Sequence, residues 1–308
     1  MTHTVFIDGA AGTTGLEIAE RLANRPEFEL VRLSDAERKQ TVARRHALNF
    51  ADFAILCLPD AAAIEAVALL DEDSDTRVID ASTAHRCASG WIYGFPELVG
   101  HQVVAGAKRV ANPGCYPTGF LALVAPLVRK KLLPRDWPYS VNAVSGYSGG
   151  GKAMIERFEE DGDIAWLGYA LGFGHKHLPE MQGKAGLDHA PLFAPAVVPA
   201  FRGMAVDIPL PIEAMRTAAT PDKLREALAE FYADSPLISV ARETPAELVL
   251  RRSAEPSDTM ELHVLSDAEG RQARLLAILD NLGKGASGAA VQSLNLMAGH
   301  EATAGLQF

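Results

Sequence analysis

Of the three cysteines in this 308-residue chain, Cys57, Cys87 and Cys115, the last stands where chemistry is easiest to read. Cys115 lies in "NPGCYPTG", directly ahead of the apolar run "FLALVAPLV", which reads as a helix. A thiol at a helix head meets unpaired N–H groups and the positive end of the dipole, and both favour the nucleophilic thiolate. The ordinary fate of a free thiol is burial in a core. Here Pro113 and Pro117 fix the turn, and Gly114 and Gly119 permit tight geometry, so the sulfur is expected to be presented. An odd number of distant cysteines with no C-x-x-C pair argues against a disulfide framework and against a zinc site.

A cysteine nucleophile needs a proton handler. "GHKHLPEM" offers His175 and His177, two apart, beside Glu180. No H-E-x-x-H spacing or second cluster completes a ligand set around them, so no metal is expected. "SGYSGGGKA", residues 145–153, fits two unrelated signatures at once. It matches a P-loop, but Ala153 stands where a magnesium-binding hydroxyl belongs. It also matches a hydrolase nucleophile elbow, but only His263 and His300 follow late enough to complete a triad, one within a strand and one near the terminus. What remains is an anion-binding loop, with its N–H groups from Gly146 onward, Lys152, Ser145 and Ser148 as donors.

The elements that must position these groups begin with "TVFIDG", a strand, "GAAGTTG", a turn, and "LEIAERLANR", a helix with Leu16, Ile18, Ala19 and Leu22 at helical spacing. Gly9, Gly12 and Gly15, with Thr13 and Thr14 between them, form a variant of the dinucleotide fingerprint, in which glycine lets backbone approach a pyrophosphate. The next strand, "FELVRL", runs into "LSDAERKQ". There Ser34, Arg38 and Lys39 suit a ribose 2′-phosphate and Asp35 is the contrary sign, so NADP is expected over NAD. "FAILCLP", "DAAAIEAVALLD" and "RVIDAS" continue the alternation of apolar strand and helix, which indicates a parallel sheet covered on both faces.

After "RVANPG" the pattern becomes α+β, which places a boundary near residue 112. "YSVNAV" and "GMAVDIPLPI" read as strands, and "TMELHVL" and "ARLLAIL" as a hairpin about "SDAEGR". In "TPDKLREALAEFYAD", Thr220 is the expected N-cap, Pro221 the first helical residue, and Leu224, Leu228 and Phe231 the buried stripe. Ala290, Leu294 and Met297 mark one face of a terminal helix. Hydrophobic residues are 48% and charged residues 22%, no apolar run is long enough to span a bilayer, and the N-terminus lacks a signal peptide's pattern, so a cytoplasmic protein is expected. A net charge of −10 without a basic block leaves no footprint for nucleic acid.

A thiol, a histidine, an anion-binding loop and a nicotinamide cofactor together imply oxidation or reduction at the acyl level. The cysteine attacks an activated acyl group, phosphate leaves, the thioester takes hydride, and a thiohemiacetal collapses to an aldehyde.

Ten stretches spread along the chain carry a resemblance: "GAAGTTG", "LSDAERKQ", "AILCLPD", "IDASTAHR", "YGFPE", "NPGCYPTG", "SGYSGGGK", "HKHLPE", "FRGM" and "DNLGKGASGAAVQSLNLM". Together they resemble the shorter form of the N-acetyl-γ-glutamyl-phosphate reductase family of arginine biosynthesis. The resemblance implies an α/β Rossmann domain (residues 1–112) and an α+β catalytic and oligomerisation domain of the semialdehyde/glyceraldehyde-phosphate dehydrogenase type (113–282). A C-terminal helix (283–308) would return to the first domain. It further implies NADP(H), a small anionic acyl phosphate as substrate, and a homodimer or homotetramer. By motif match Cys115 carries the acyl group and His175 or His177 is acid and base, with His177 favoured. Arg86 of "STAHR" and Lys152 are then expected on the substrate's phosphate or carboxylate, alongside Ser145, Gly146 and Glu180, with Arg202 a weaker candidate. Asn281, Gly283 and Lys284 are expected at the nicotinamide end. Two departures from the family pattern are Leu123, usually a smaller residue, and Lys152, an arginine in many longer members. The rival readings are aspartate-semialdehyde dehydrogenase and an NADP-sensing binding protein without catalysis.

Overall fold

The computed structural model describes residues 2–215, 217 and 219–308. The chain divides into two units, Met1–Gly114 with Ala286–Leu306, and Cys115–Gly285 with Gln307–Phe308.

In the first unit the chain runs β1 (His3–Asp8), α1 (Thr13–Leu22), β2 (Phe28–Val31), α2 (Thr41–Phe50), β3 (Phe53–Leu56), α3 (Asp60–Ala68), β4 (Arg77–Asp80), β5 (Ile92–Tyr93), α4 (Pro96–Val99), α5 (His101–Ala105) and β6 (Arg109–Ala111). The sheet is parallel throughout, in the order β2-β1-β3-β4-β6-β5. Alternate residues of its central strands feed two separate cores. Val5, Ile7, Phe53 and Ile55 join Ile18 and Leu22 of α1 on one face, while Phe6, Ala54 and Leu56 join Leu48 and Ala63 on the other. This is the two-residue period of a strand buried on both sides. The chain's last helix, Gly288–Met297, packs in the first of these cores through Ala290, Val291, Leu294 and Met297. It is buried from Gly288 through Asn295, so the single apolar face expected for it is an underestimate.

Leu16 departs from the expected stripe of α1: it is 47% exposed, and the inward place belongs to Gly15. A Cβ on Gly15 would fall 2.5 Å from the Gly9 carbonyl oxygen, so the helix can start this close to the turn only without a side chain there.

The second unit contains α6 (Cys115–Arg129), β7 (Ser140–Gly146), α7 (Gly151–Glu160), β8 (Leu167–Gly168), α8 (Leu178–Ala185), β9 (Leu192–Val198), β10 (Met204–Leu210), α9 (Ile212–Met215), α10 (Pro221–Phe231), β11 (Ile238–Val240), β12 (Met260–Ser266) and β13 (Ala273–Leu279). The helix Gly288–Met297 completes the series as α11. The mixed sheet has the order β11-β12-β13-β10-β7-β9-β8, with the expected antiparallel hairpin of β12 and β13. Thr220 caps α10 by accepting the Lys223 N–H, as its sequence suggests. Leu224 and Leu228 of that helix are buried, but Tyr232 rather than Phe231 takes the third inward place.

The axis of this unit is α6, buried from Tyr116 through Leu127, with Leu123 wholly enclosed. Gly119 brings it onto the sheet: a Cβ there would sit 2.8 Å from Val206 Cγ2 and 3.3 Å from Leu279 Cδ2. Gly119→Ala is therefore expected to destabilise the protein by about 1–3 kcal/mol through overpacking. Gly162→Ala, where nothing lies within 4 Å, is the control. Urea unfolding checks this; equal midpoints for the two variants would contradict it.

Candidate functional site

A cavity of about 590 Å³ opens at the carboxyl ends of β1, β2 and β3. Strand order reverses about β1, and such a switch point is where doubly wound sheets hold their ligands. Gly9 has φ +91°, and a Cβ on it would fall 2.3 Å from the Cys57 carbonyl oxygen. Gly12 is the N-cap of α1 and offers no side chain to its amides. The first N–H groups of the helix, from Thr13 and Thr14 onward, are thus left for an anion. A cradle that a Cβ would fill, beside an uncapped helix end, fits the pyrophosphate of a dinucleotide.

Arg38 and Lys39 line the cavity, together with Arg32 and Arg44, which sequence reasoning missed. Asp35 pairs with Arg38 at 3.2 Å and its side chain is almost fully exposed. Ser34 is engaged locally. Its hydroxyl and its N–H both donate to Glu37 Oε2, at 2.6 and 2.8 Å, closing a turn between Leu33 and Arg38.

Arg86 is held by backbone. It is buried, and its Nε and Nη2 donate to the carbonyls of Asn112 and Ala81, binding the loop after β4 to the segment before Cys115. The neighbouring residues form a similar knot. Wholly buried Asp80 accepts from Ser82 and meets His85 Nδ1 at 2.6 Å, and His85 stacks on Trp91. Cys57 is no nucleophile: burial, with Asp80 and Asp8 nearby, pushes its thiol up to about 12, so it keeps its proton.

In the second unit Cys115 is the first residue of α6. It is backed by Gly285, where a Cβ would lie 3.0 Å from that of the cysteine. Gly285 belongs to a π-helical turn, Gly283–Ser287, of a kind frequent at functional sites. A Cβ on Gly283 would fall 1.8 Å from the Ser257 carbonyl oxygen. Asp280 secures the approach to the turn, accepting from the Leu282 N–H and from Arg202 Nη1 at 2.9 and 2.7 Å. Arg202, the weaker anion candidate, thus has a structural partner. Asn281 accepts from the Gly203 N–H and donates to Ser148 Oγ, and Lys284 is buried. The roles visible for Asn281 and Gly283 are therefore ones of holding this unit together.

The glycine-rich loop also departs from expectation. Its N–H groups at Gly146, Tyr147 and Ser148 donate to the carbonyls of Gly203, Ala200 and Phe201, so they are not offered to an anion. Ser145 Oγ donates to the Gly146 carbonyl. Gly146 is required by crowding, since a Cβ there would lie 2.7 Å from the Phe201 carbonyl oxygen. Lys152, exposed in the first turn of α7, remains as the cation of this loop.

His175 and His177 come together with the residue next to the cysteine. Their ring centroids lie 6.3 and 6.1 Å from that of Tyr116, and 4.7 Å from each other. Phe193 and Tyr169 close around His175 at 5.1 and 5.6 Å. His175 Nδ1 accepts from the His177 N–H at 3.1 Å, which fixes the proton of a neutral His175 ring on Nε2. Burial, helped by Lys176, pushes the His175 pKa down to about 4. His177 is buried at the N-cap of α8, and Glu180 is buried in its first turn. The Tyr116 hydroxyl donates to the Ala196 carbonyl and shares a hydrogen bond with Tyr169. Burial raises both phenols, that of Tyr169 to about 12. Sequence reasoning missed both tyrosines. The adjacency of Tyr116 to Cys115 was the one available signal.

A thiol at a helix head is the type of group that attacks an acyl carbon, and the two imidazoles that meet the ring of the next residue are of the type that passes a proton. Comparison with known proteins agrees. Residues 4–105 match the NAD-binding domain of semialdehyde dehydrogenases, and residues 115–281 their dimerisation domain. N-acetyl-gamma-glutamyl-phosphate reductase of Burkholderia lata is 48% identical over 305 residues, covering 96% of each chain. The protein of that name in Rhizobium meliloti is 45% identical, covering 96% of this chain and 99% of its own. Among solved structures, aspartate semialdehyde dehydrogenase of Francisella tularensis superposes with a TM-score of 0.71 at 14% identity, over 96% of this chain and 100% of that one, a likeness of fold.

The depressed His175 pKa carries a linked effect on stability. Between the unfolded value of 6.5 and the folded value of about 4, the unfolded chain binds more protons, so this group's contribution is complete above pH 6.5 and lost as pH falls towards 4. Urea unfolding across that window should show a shallower loss of stability for His175→Gln than for the parent; parallel losses would contradict the assignment.

Proposed function

The chain belongs to the N-acetyl-γ-glutamyl-phosphate reductase family, and from that premise we propose how its own residues reduce an acyl phosphate to an aldehyde. The Cys115 thiolate attacks the γ-acyl carbon of N-acetyl-γ-glutamyl phosphate, the carbon–oxygen bond to phosphate breaks, and a thioester forms on the sulfur. A reduced nicotinamide, when bound, supplies the hydride that takes the thioester to the aldehyde level. His177 holds the proton for the oxyanion of the resulting thiohemiacetal, then takes it back as the carbon–sulfur bond breaks and N-acetylglutamate semialdehyde departs. His175, with its pKa near 4, is neutral at physiological pH and serves as the acceptor that orients His177. Lys152 contributes a point charge to an anionic group of the substrate, without the bidentate grip of an arginine.

The observation that carries this reading is the wall at Tyr116, where the residue after the helix-head cysteine meets both histidine rings. Arg38 and Lys39 on the cavity wall, with Asp35 paired to Arg38, support NADP over NAD. The match to a dimerisation domain supports a homodimer or homotetramer. A free nucleophilic thiol suits a reducing compartment, which supports the cytoplasm.

The test runs the reaction in reverse, with NADP, phosphate and either N-acetylglutamate semialdehyde or aspartate semialdehyde. The acetylated aldehyde should be preferred. Cys115→Ala should lose turnover on the order of 10⁴-fold with NADPH binding retained, while Cys57→Ala keeps both. A preference for aspartate semialdehyde, or NADP bound and never reduced by the parent enzyme with either aldehyde, would sink the reading.

A further inference from the structure

Arg44 belongs to none of the recognised stretches, yet it is the most firmly held cation on the cavity wall. It stands on α2, in the segment that follows β2, and its Nε and Nη2 both donate to Asp8 Oδ2 at 3.1 and 2.7 Å. Asp8 is the last residue of β1, immediately before Gly9. The two side chains are only 16% and 7% exposed, and both residues line the cavity. Nη1 of Arg44 makes no hydrogen bond to a described residue.

The other cations of this wall are held differently. Arg38 is half exposed and shares its charge with Asp35, and Lys39 is exposed. Such side chains are screened by salt and lose rotamer freedom when they grip a ligand. Arg44 has already lost that freedom to Asp8, and its open N–H groups lie in a partly desolvated wall, where a charge-assisted hydrogen bond is stronger. The pyrophosphate is accounted for by the glycine turn and the start of α1. The end of β2 is where the adenosine ribose is read in sheets of this kind, and Arg44 lines the same cavity as Leu33, Arg38 and Lys39, which follow that strand. Asp8, left bare, would repel a phosphate there; Arg44 covers it.

We propose that Arg44, pinned by Asp8, is the residue that recognises the 2′-phosphate of an adenine dinucleotide and so sets the preference for the phosphorylated cofactor, with Arg38 and Lys39 adding a screened attraction. The proposal rests on the cavity being the dinucleotide site. It deepens that reading by naming what makes the choice.

The test is binding rather than turnover: NADPH and NADH titrated against the full-length protein, followed by nicotinamide fluorescence. The parent should bind NADPH more tightly. Arg44→Gln should weaken NADPH by about 10- to 100-fold, the range of one charge-assisted hydrogen bond, with NADH changed by less than about threefold. Arg44→Lys, which keeps the charge and the partner but loses the fork, should fall between; it carries the test alone if Arg44→Gln does not fold. Equal weakening of both cofactors, or an unchanged ratio in the variants, would overturn the proposal. A parent that binds neither cofactor would instead overturn the assignment of the cavity.

Discussion

Little room is left for a side chain beside Cys115. A Cβ at position 285 would lie 3.0 Å both from the Cys115 Cβ and from the Asp280 carbonyl oxygen, so the strand-to-helix connection passes the nucleophile as bare backbone. Much of the second unit follows from that closeness. The π-helical turn Gly283–Ser287 is held at its start by Asp280 and Arg202, and Asn281 ties the same segment to Gly203 and Ser148. Gly119 draws α6 onto β10 and β13, and the enclosure of that helix fixes the position of its first residue. The sulfur is placed by packing, at the one end of the helix where the dipole favours negative charge.

Environment divides labour between residues of the same type. Cys57 and Cys115 are both thiols, but one has Asp80 and Asp8 nearby and its pKa pushed up to about 12, and the other opens a helix. His175 and His177 stand side by side, yet a half-buried aromatic setting keeps His175 neutral and its Nδ1 is committed to the neighbouring backbone. Tyr116 joins the two imidazoles, since its ring meets both and its hydroxyl is fixed on the Ala196 carbonyl.

The parallel sheet was legible because its strands are apolar on both faces and its glycine turn sits between a strand and a helix. The helix α2 was not. It buries only Ala47 and Leu48 and carries Arg44, Arg45 and His46, so its apolar period is too weak to read. The head of α6 was legible from turn residues around a cysteine before an apolar run. The destination of hydrogen bonds was not. "SGYSGGGK" has the composition of an anion-binding loop, but the carbonyls that take the N–H groups of Gly146, Tyr147 and Ser148 come from residues 200–203, more than fifty positions later. The same holds for Arg86: residue type marks it as a ligand for anions, and only the fold shows the backbone carbonyls that its guanidinium also meets. Tyr169 and Arg44 could be found only once the chain had brought them to Tyr116 and Asp8.

The central claim is that Cys115 carries the acyl group. Mixing the protein with N-acetyl-γ-glutamyl phosphate in the absence of nicotinamide cofactor, quenching in acid and mapping peptides by mass spectrometry tests it most directly. One acyl group per chain, on the peptide that contains Cys115 and removable by hydroxylamine, is the predicted result. No adduct, or one on Cys57, Cys87 or a histidine, would contradict it.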